Sequence, residues 1–347
     1  MYYNRKGAAE IMKCLQQSAF TGRINNMKNS KEKFMQKTIV VWMGALICCA
    51  LWGSAFPSIK IGYGMLQILP GDTGSQILFA GYRFVLAGIL VILIGSLINR
   101  KLLIPKKDSW TKILKLSFLQ TVAQYIFFYI GLANTSGVKA SIIIGVNVFI
   151  AILVASLIFR QEKLTVPKIS GCAVGFTGVL LVNITGSQLD MSFSFLGEGF
   201  IFLSTIAYAF SSVFMKRYSK DEDPLVLSGY QFVAGGIVLS AAGFLSGGRI
   251  GGFSASGIIM LIYLALISAV AYSLWGVLLK YNDVSKVAVF GFMNPVFGVI
   301  LSAVFLGEKE QASGWTSLAA LVLVCTGIYI VNRSSIGKGS KNVTVHS

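Results

Sequence analysis

Ten apolar runs follow one another along this chain with short polar segments between them: Thr38 to Ile59, Gln76 to Leu97, Ile113 to Leu132, Ala140 to Phe159, Ile169 to Val182, Leu196 to Met215, Leu225 to Leu245, Ile258 to Leu279, Val287 to Leu306 and Trp315 to Val331. A helix needs about 20 predominantly apolar residues to cross a bilayer, so the pattern predicts an all-α membrane protein of ten transmembrane helices. Composition agrees. The chain is 55% hydrophobic and 12% charged with a mean hydropathy of +0.73, whereas a soluble domain carries about a quarter charged residues. A water-soluble globular protein is excluded. No connecting segment is long enough to fold by itself, which places any chemistry within the membrane.

The formal charge of +17 would in a soluble protein point to nucleic acid. Here it reads as topology, and no nucleic-acid partner is expected. Lys and Arg fall on the polar head (residues 1–37), on the tail (333–347) and on alternate connections: Arg100, Lys101, Lys106, Lys107, Lys112 and Lys115; Arg160, Lys163 and Lys168; Lys216, Arg217 and Lys220; Lys280 and Lys286. Of the 30 basic residues, all but Lys60, Arg83, Lys139, Arg249 and Lys309 lie on one side. The positive-inside rule makes that side the cytoplasm and puts both termini there. The head is no secretory signal, because the first apolar run begins only at Thr38 and exceeds a signal core in length. Met27 and Met35 within the head are alternative candidate starts. A bacterial plasma membrane is the expected location.

The chain also repeats itself. Tyr82-Arg-Phe-Val-Leu-Ala-Gly88 in the second run matches Tyr230-Gln-Phe-Val-Ala-Gly-Gly236 in the seventh, and Gly178-Val-Leu-Leu-Val-Asn183 in the fifth matches Gly327-Ile-Tyr-Ile-Val-Asn332 in the tenth. At nearly the same spacing Tyr125, Phe128, Lys139 and Asn147 meet Tyr272, Trp275, Lys286 and Asn294; at a longer spacing Trp52 and Lys60 meet Tyr208 and Lys216. Residues 38–183 and 196–332 are therefore two copies of a five-helix unit. Because five is odd, the second copy must enter the membrane from the opposite side. Inverted repeats characterise many secondary transporters, whose two halves exchange conformations around one central site.

The residues Trp52-Gly-Ser-Ala-Phe-Pro57, Arg83-Phe84, Gly307-Glu-Lys309 and the glycine-containing ends of runs five and ten resemble the EamA-type transporters of the drug/metabolite transporter superfamily. The resemblance extends from about Thr38 to Asn332. It implies a central cavity lined by helices 1 to 4 and 6 to 9, with helices 5 and 10 outside, and export of amino acids or related metabolites; more distant relatives exchange nucleotide sugars or sugar phosphates. One departure is Arg160-Gln-Glu-Lys163 after run four, where the family has a Gly-Glu pair.

Candidate solute-binding residues are the polar and aromatic positions of the spans. Arg83 lies about 12 Å inside the second run at 1.5 Å per residue; it either holds an anionic group or anchors the repeat interface through carbonyl groups. Asn147 and Asn294 occupy matching positions, the latter beside Pro295, whose missing N–H predicts an interrupted helix of the kind found at transporter sites. Gln124, Tyr125, Tyr272 and Trp275 give runs three and eight a polar-aromatic face. Trp52, Phe56 and Lys60 share one helix face, as do Tyr208, Ser212 and Lys216. These trios, with Lys139 and Lys286, are candidates for a gate or rim; the plainer reading is an aromatic belt with snorkelling lysines. Gly171 and Gly175 form a GxxxG pair expected to bring helices close.

Cofactors and metals are not expected. The one histidine, His346, lies in the tail, and Cys14, Cys48, Cys49, Cys172 and Cys325 have neither metal-ligand nor redox spacing. No acid lies deep inside a run; Glu198, Glu162 and Glu308 sit at helix ends. Small multidrug transporters use an embedded glutamate to trade a cationic drug for protons, and no such residue is present, so an anionic or zwitterionic solute is favoured. The expected partners are a small-molecule metabolite and the lipid bilayer; self-association is not encoded in any readable way. The alternatives are a sugar-phosphate or nucleotide-sugar exchanger, an integral-membrane enzyme and a non-transporting sensor.

Overall fold

The computed structural model describes residues 29–135, 137–184, 193–252, 254–306 and 314–336. Most of the head, with Cys14, lies outside them, as do Gly307, Glu308, Lys309, Asn342 and His346. The chain divides into two units, residues 1–43 and 44–347. In the first, residues 29–36 are helical, and Gln36 donates to the Glu32 carboxylate across one turn (3.3 Å).

The described residues are helical, with no strand among them. The helices are α1 (Thr38–Met65), α2 (Thr73–Ile98), α3 (Ser109–Ala133), α4 (Lys139–Ile158), α5 (Val166–Ile184), α6 (Phe195–Tyr218), α7 (Pro224–Leu245) and α8 (Ala255–Tyr281). Then come α9, which runs Val284–Ala288, a 3-10 turn over Val289–Phe292 and Met293–Leu306, and α10 (Gly314–Ile336). Among the described residues eight are long and apolar enough to cross a membrane; in α5 and α10 the apolar stretches, Val166–Leu181 and Leu318–Arg333, are shorter. The protein is thus a multi-pass membrane protein.

Helix starts follow local chemistry. The Asp72 side chain caps α2 by accepting from the Ser75 N–H (3.0 Å), and Ser194 and Ser254 do the same for Gly197 and Gly257 (3.1 Å each). Asp223 accepts from Leu225 N–H (2.8 Å) ahead of α7, with Pro224 in the first turn, where a missing N–H costs nothing.

Glycines set two close helix pairs, α2 with α7 and α5 with α10. A Cβ on Gly88 would stand 2.6 Å from the Gly229 carbonyl oxygen, and one on Gly236 2.6 Å from the Val85 nitrogen. In the other pair, a Cβ on Gly327 would lie 2.6 Å from the Gly175 nitrogen and one on Gly171 2.8 Å from the Gly327 oxygen. The Gly171-Gly175 pair is a backbone contact, as its spacing predicts. With lipid on the outside there is little hydrophobic drive between helices, so such van der Waals contact carries much of the association.

Two helices are interrupted inside the second unit. α4 breaks at Val146, whose N–H turns back to Ile143 (3.0 Å), and α9 breaks at its 3-10 turn. Pro295 falls in the first turn after that break, where its ring fits. No proline accompanies the break in α4, so proline is not its cause there. In α3, Ser117–Ala123 is wound as a π-helix, a distortion that re-aims the residues after it.

Candidate functional site

A cavity of about 160 Å³ lies within residues 44–347. Its wall draws on seven helices: Trp52 from α1; Arg83 from α2; Gln124, Tyr125, Phe128 and Tyr129 from α3; Asn147 from α4; Ser204, Thr205, Tyr208 and Ser212 from α6; Tyr272 and Trp275 from α8; Asn294 from α9. Among the described residues, none of α5, α7 or α10 lines it. For α7 this departs from the expectation set by the resemblance. Gln231, which matches Arg83 in the repeat, is fully buried against α3, accepting from Thr121 (2.8 Å) and donating to Gln120 (3.1 Å). That contact turns its polar group away from the cavity.

The aromatic side chains interlock. The Trp52 ring meets Tyr272 and Trp275 edge-on, with centroids 5.1 and 5.0 Å away, and the Tyr125 and Tyr272 hydroxyls are 3.0 Å apart. Behind them Phe84 packs on Tyr125 (4.5 Å) and Phe232 on Tyr272 (5.1 Å). Trp52 is therefore an interior residue, not part of an interfacial belt. Phe56 has its backbone in α1; its side chain lies outside the described residues.

Several wall atoms are buried without a hydrogen-bond partner among the described residues: the indole nitrogens of Trp52 and Trp275, Gln124 Oε1, Asn147 Oδ1 and Asn294 Oδ1. An unsatisfied buried polar group costs about 1–3 kcal/mol. Five around one cavity mark the donors and acceptors that an occupant would satisfy. Both asparagines sit just after a helix break, at Val146 in α4 and Val289–Phe292 in α9.

Among the described residues of the wall, Arg83 is the one with a permanent charge. It is 3% exposed, and its Nε donates to Ser268 Oγ (2.9 Å), which in turn donates to the Leu264 carbonyl (3.1 Å). Because α2 begins at Thr73, Arg83 stands about 15 Å along the helix. Among the described residues no acid lines the cavity.

All seven candidate binding residues, Arg83, Gln124, Tyr125, Asn147, Tyr272, Trp275 and Asn294, thus meet at one cavity, joined by Trp52 and Tyr208. The four rim lysines do not line it. Lys216 reaches Asp283 (3.1 Å) and the Asn282 carbonyl (2.8 Å); Lys139 pairs with Glu198 (3.1 Å), which also accepts from Thr135 (2.6 Å). Lys60 is exposed near the end of α1, and Lys286 is half-buried at the start of α9. Sequence reasoning missed Ser268, Ser204 and Thr205. The signal was there: Ser268, Tyr272 and Trp275 stand at i, i+4 and i+7, and Ser204, Tyr208 and Ser212 at i, i+4 and i+8.

The profile of the EamA-like transporter family matches residues 39–184 and again 195–333. The chain belongs to the EamA-like transporter family. Among relatives of this EamA-like protein, an uncharacterized inner membrane transporter of Escherichia coli K12 is 26% identical over 81% of this chain and 89% of its own length. A probable amino-acid metabolite efflux pump of Salmonella typhimurium is also 26% identical, over 82% of this chain and 92% of its own. A protein crystal structure superposes with a TM-score of 0.66 over 84% of this chain and 95% of that one; at 16% identity the likeness is one of fold.

Proposed function

We propose that this EamA-like protein is a secondary transporter that exports amino acids or related small metabolites by alternating access between two inverted five-helix repeats. The observation that carries the reading is the cavity, which is walled by helices of both halves and combines aromatic faces, unpartnered polar atoms and one cation. Its volume of about 160 Å³ lies below the roughly 300–1,000 Å³ typical of drug-sized sites. That favours a small metabolite over a nucleotide sugar, as does the presence of a single cation in the wall. A wall of indole, phenol, carboxamide and guanidinium groups suits binding more than acid–base catalysis. The name of the Salmonella relative points the same way.

Ten crossings follow if α5 and α10 also span. The repeats then meet through matching helices, α2 with α7 and α5 with α10, as an axis in the membrane plane requires. Both termini and the basic connections lie in the cytoplasm, and the protein resides in the cell membrane.

The test is comparative metabolite profiling of cells and medium with and without overexpression. Some amino acid or related metabolite should shift from cells to medium. Arg83→Ala or Asn294→Ala should remove that shift at unchanged protein level. An identical profile with and without the protein overturns the reading.

A further inference from the structure

The geometry points to a specific task for Arg83: it anchors a carboxylate, and the preferred solute is a net monoanion, a carboxylic acid whose amine is absent or capped, over a zwitterionic amino acid. This rests on the transport reading above and narrows its substrate class.

Arg83 is 3% exposed and lines the cavity. Its Nε is committed to Ser268, a fully buried residue whose hydroxyl is itself tied to the Leu264 carbonyl. That bond fixes the plane of the guanidinium. The two terminal nitrogens have no hydrogen-bond partner among the described residues. They form the end-on pair of donors that matches the two oxygens of a carboxylate. Ser268 is thus a positioning residue, which aims the fork without touching the solute.

Charge balance decides between anion and zwitterion. The described acids nearest the lysine-bearing helix ends are already paired, Glu162 with Lys168, Glu198 with Lys139 and Asp283 with Lys216. None lines the cavity, so the protein leaves the guanidinium charge uncancelled there. A monoanion makes the occupied site neutral. A zwitterion leaves it with a net positive charge in a low-dielectric interior, where uncompensated charge is expensive. The unpartnered acceptors of the same wall are carboxamide oxygens, Gln124 Oε1, Asn147 Oδ1 and Asn294 Oδ1. They can accept from a neutral amide N–H, which makes a weaker bond than an ammonium but loses far less hydration on entering. The interlocked Trp52, Tyr125, Tyr272 and Trp275 rings give the body of the solute an aromatic wall.

The test uses the full-length protein in liposomes with three probes that share a side chain: N-acetyl-L-phenylalanine, L-phenylalanine and N-acetyl-L-phenylalaninamide. Binding is read from quenching of tryptophan fluorescence, and movement from counterflow. The capped acid should bind at least about tenfold more tightly than the zwitterion, and the uncharged amide should not saturate. Arg83→Gln should erase the difference between the capped acid and the amide. Ser268→Ala should weaken the capped acid severalfold and keep the order. The ranking in the unmodified protein decides by itself, so a variant that fails to fold leaves the test intact. Equal or tighter binding of the zwitterion overturns the inference, as does unchanged capped-acid binding in folded Arg83→Gln, or no binding of either carboxylate. Counterflow of L-phenylalanine that ignores Arg83→Gln would sink this inference and leave the transport reading standing. An identical metabolite profile with and without the protein would sink both.

Discussion

A guanidinium in the middle of an apolar helix costs about 2.5–3.5 kcal/mol on insertion scales, and the Arg83 side chain recovers only part of this through its bond to Ser268 and the Phe84 ring 5.1 Å away. A buried charge carries a desolvation penalty of several kcal/mol, which an apolar side chain of similar length removes. Arg83→Met is therefore expected to raise the thermal midpoint of the detergent-solubilised protein while abolishing export, a trade between stability and function. A lowered midpoint would show that Arg83 is instead a structural anchor. Sequence identified this residue because a lone charge in an apolar run is conspicuous. Ser268 left only a fainter trace, its place one turn before Tyr272 on the same helix face, and nothing in the sequence ties it to a partner 185 residues away. Nor could sequence show that Gln231, which occupies the matching position, serves packing while Arg83 serves the cavity. Repeat symmetry is a property of the backbone, and the two side chains found different neighbours.

Elements depend on contacts that leave uneven traces in the sequence. Gly88 and Gly236 let α2 and α7 touch through their backbones. Gly88→Ala would push a methyl against the Gly229 carbonyl oxygen and should destabilise the protein by about 1–3 kcal/mol, as overpacking does. Gly64, exposed in the last turn of α1 with open space for 4 Å around the point where a Cβ would stand, is the control. Gly64→Ala should be neutral or stabilising by up to about 1 kcal/mol. Thermal unfolding of both variants checks the pair, and equal effects would refute the packing argument. At the start of α9, Glu162 accepts from the Ser285 N–H (3.1 Å) and hydroxyl (2.8 Å), placing an anion at a helix N-terminus. It also pairs with Lys168, whose side chain is 6% exposed. Glu162→Ala strands that lysine and should cost roughly 3–5 kcal/mol, whereas Glu162→Gln, which keeps one acceptor oxygen for Ser285 or Lys168, should cost less; the order of the two midpoints is the measurement. Hydropathy located α4 and α9 but not their shared interruption, because α4 breaks without a proline and the glycine beside Val146, Gly145, is one of many in the chain.

At the scale of the whole molecule, the number of crossings fixes which side each connection occupies. Eight helices meet the length and hydropathy needed to span, while the apolar stretches of α5 and α10 are shorter. The repeat and the basic residues argue that these two cross as well. Lys106 and Lys107 precede α3, and Lys216, Arg217 and Lys220 follow or end α6. With α5 crossing, four spans separate the two clusters and both face the cytoplasm, as the positive-inside rule demands. If α5 does not cross, three spans separate them and one cluster faces outward against the rule. Topology reporters inserted after Lys107 and Lys220, both exposed, decide the matter, with insertions after Gly71 and Gly247 as the opposite-side pair. The expected outcome is a cytoplasmic signal at Lys107 and Lys220 and an external one at Gly71 and Gly247. Opposite signals at Lys107 and Lys220 would remove α5 from the membrane, and with it the odd repeat from which the inverted symmetry and the alternating-access mechanism are argued.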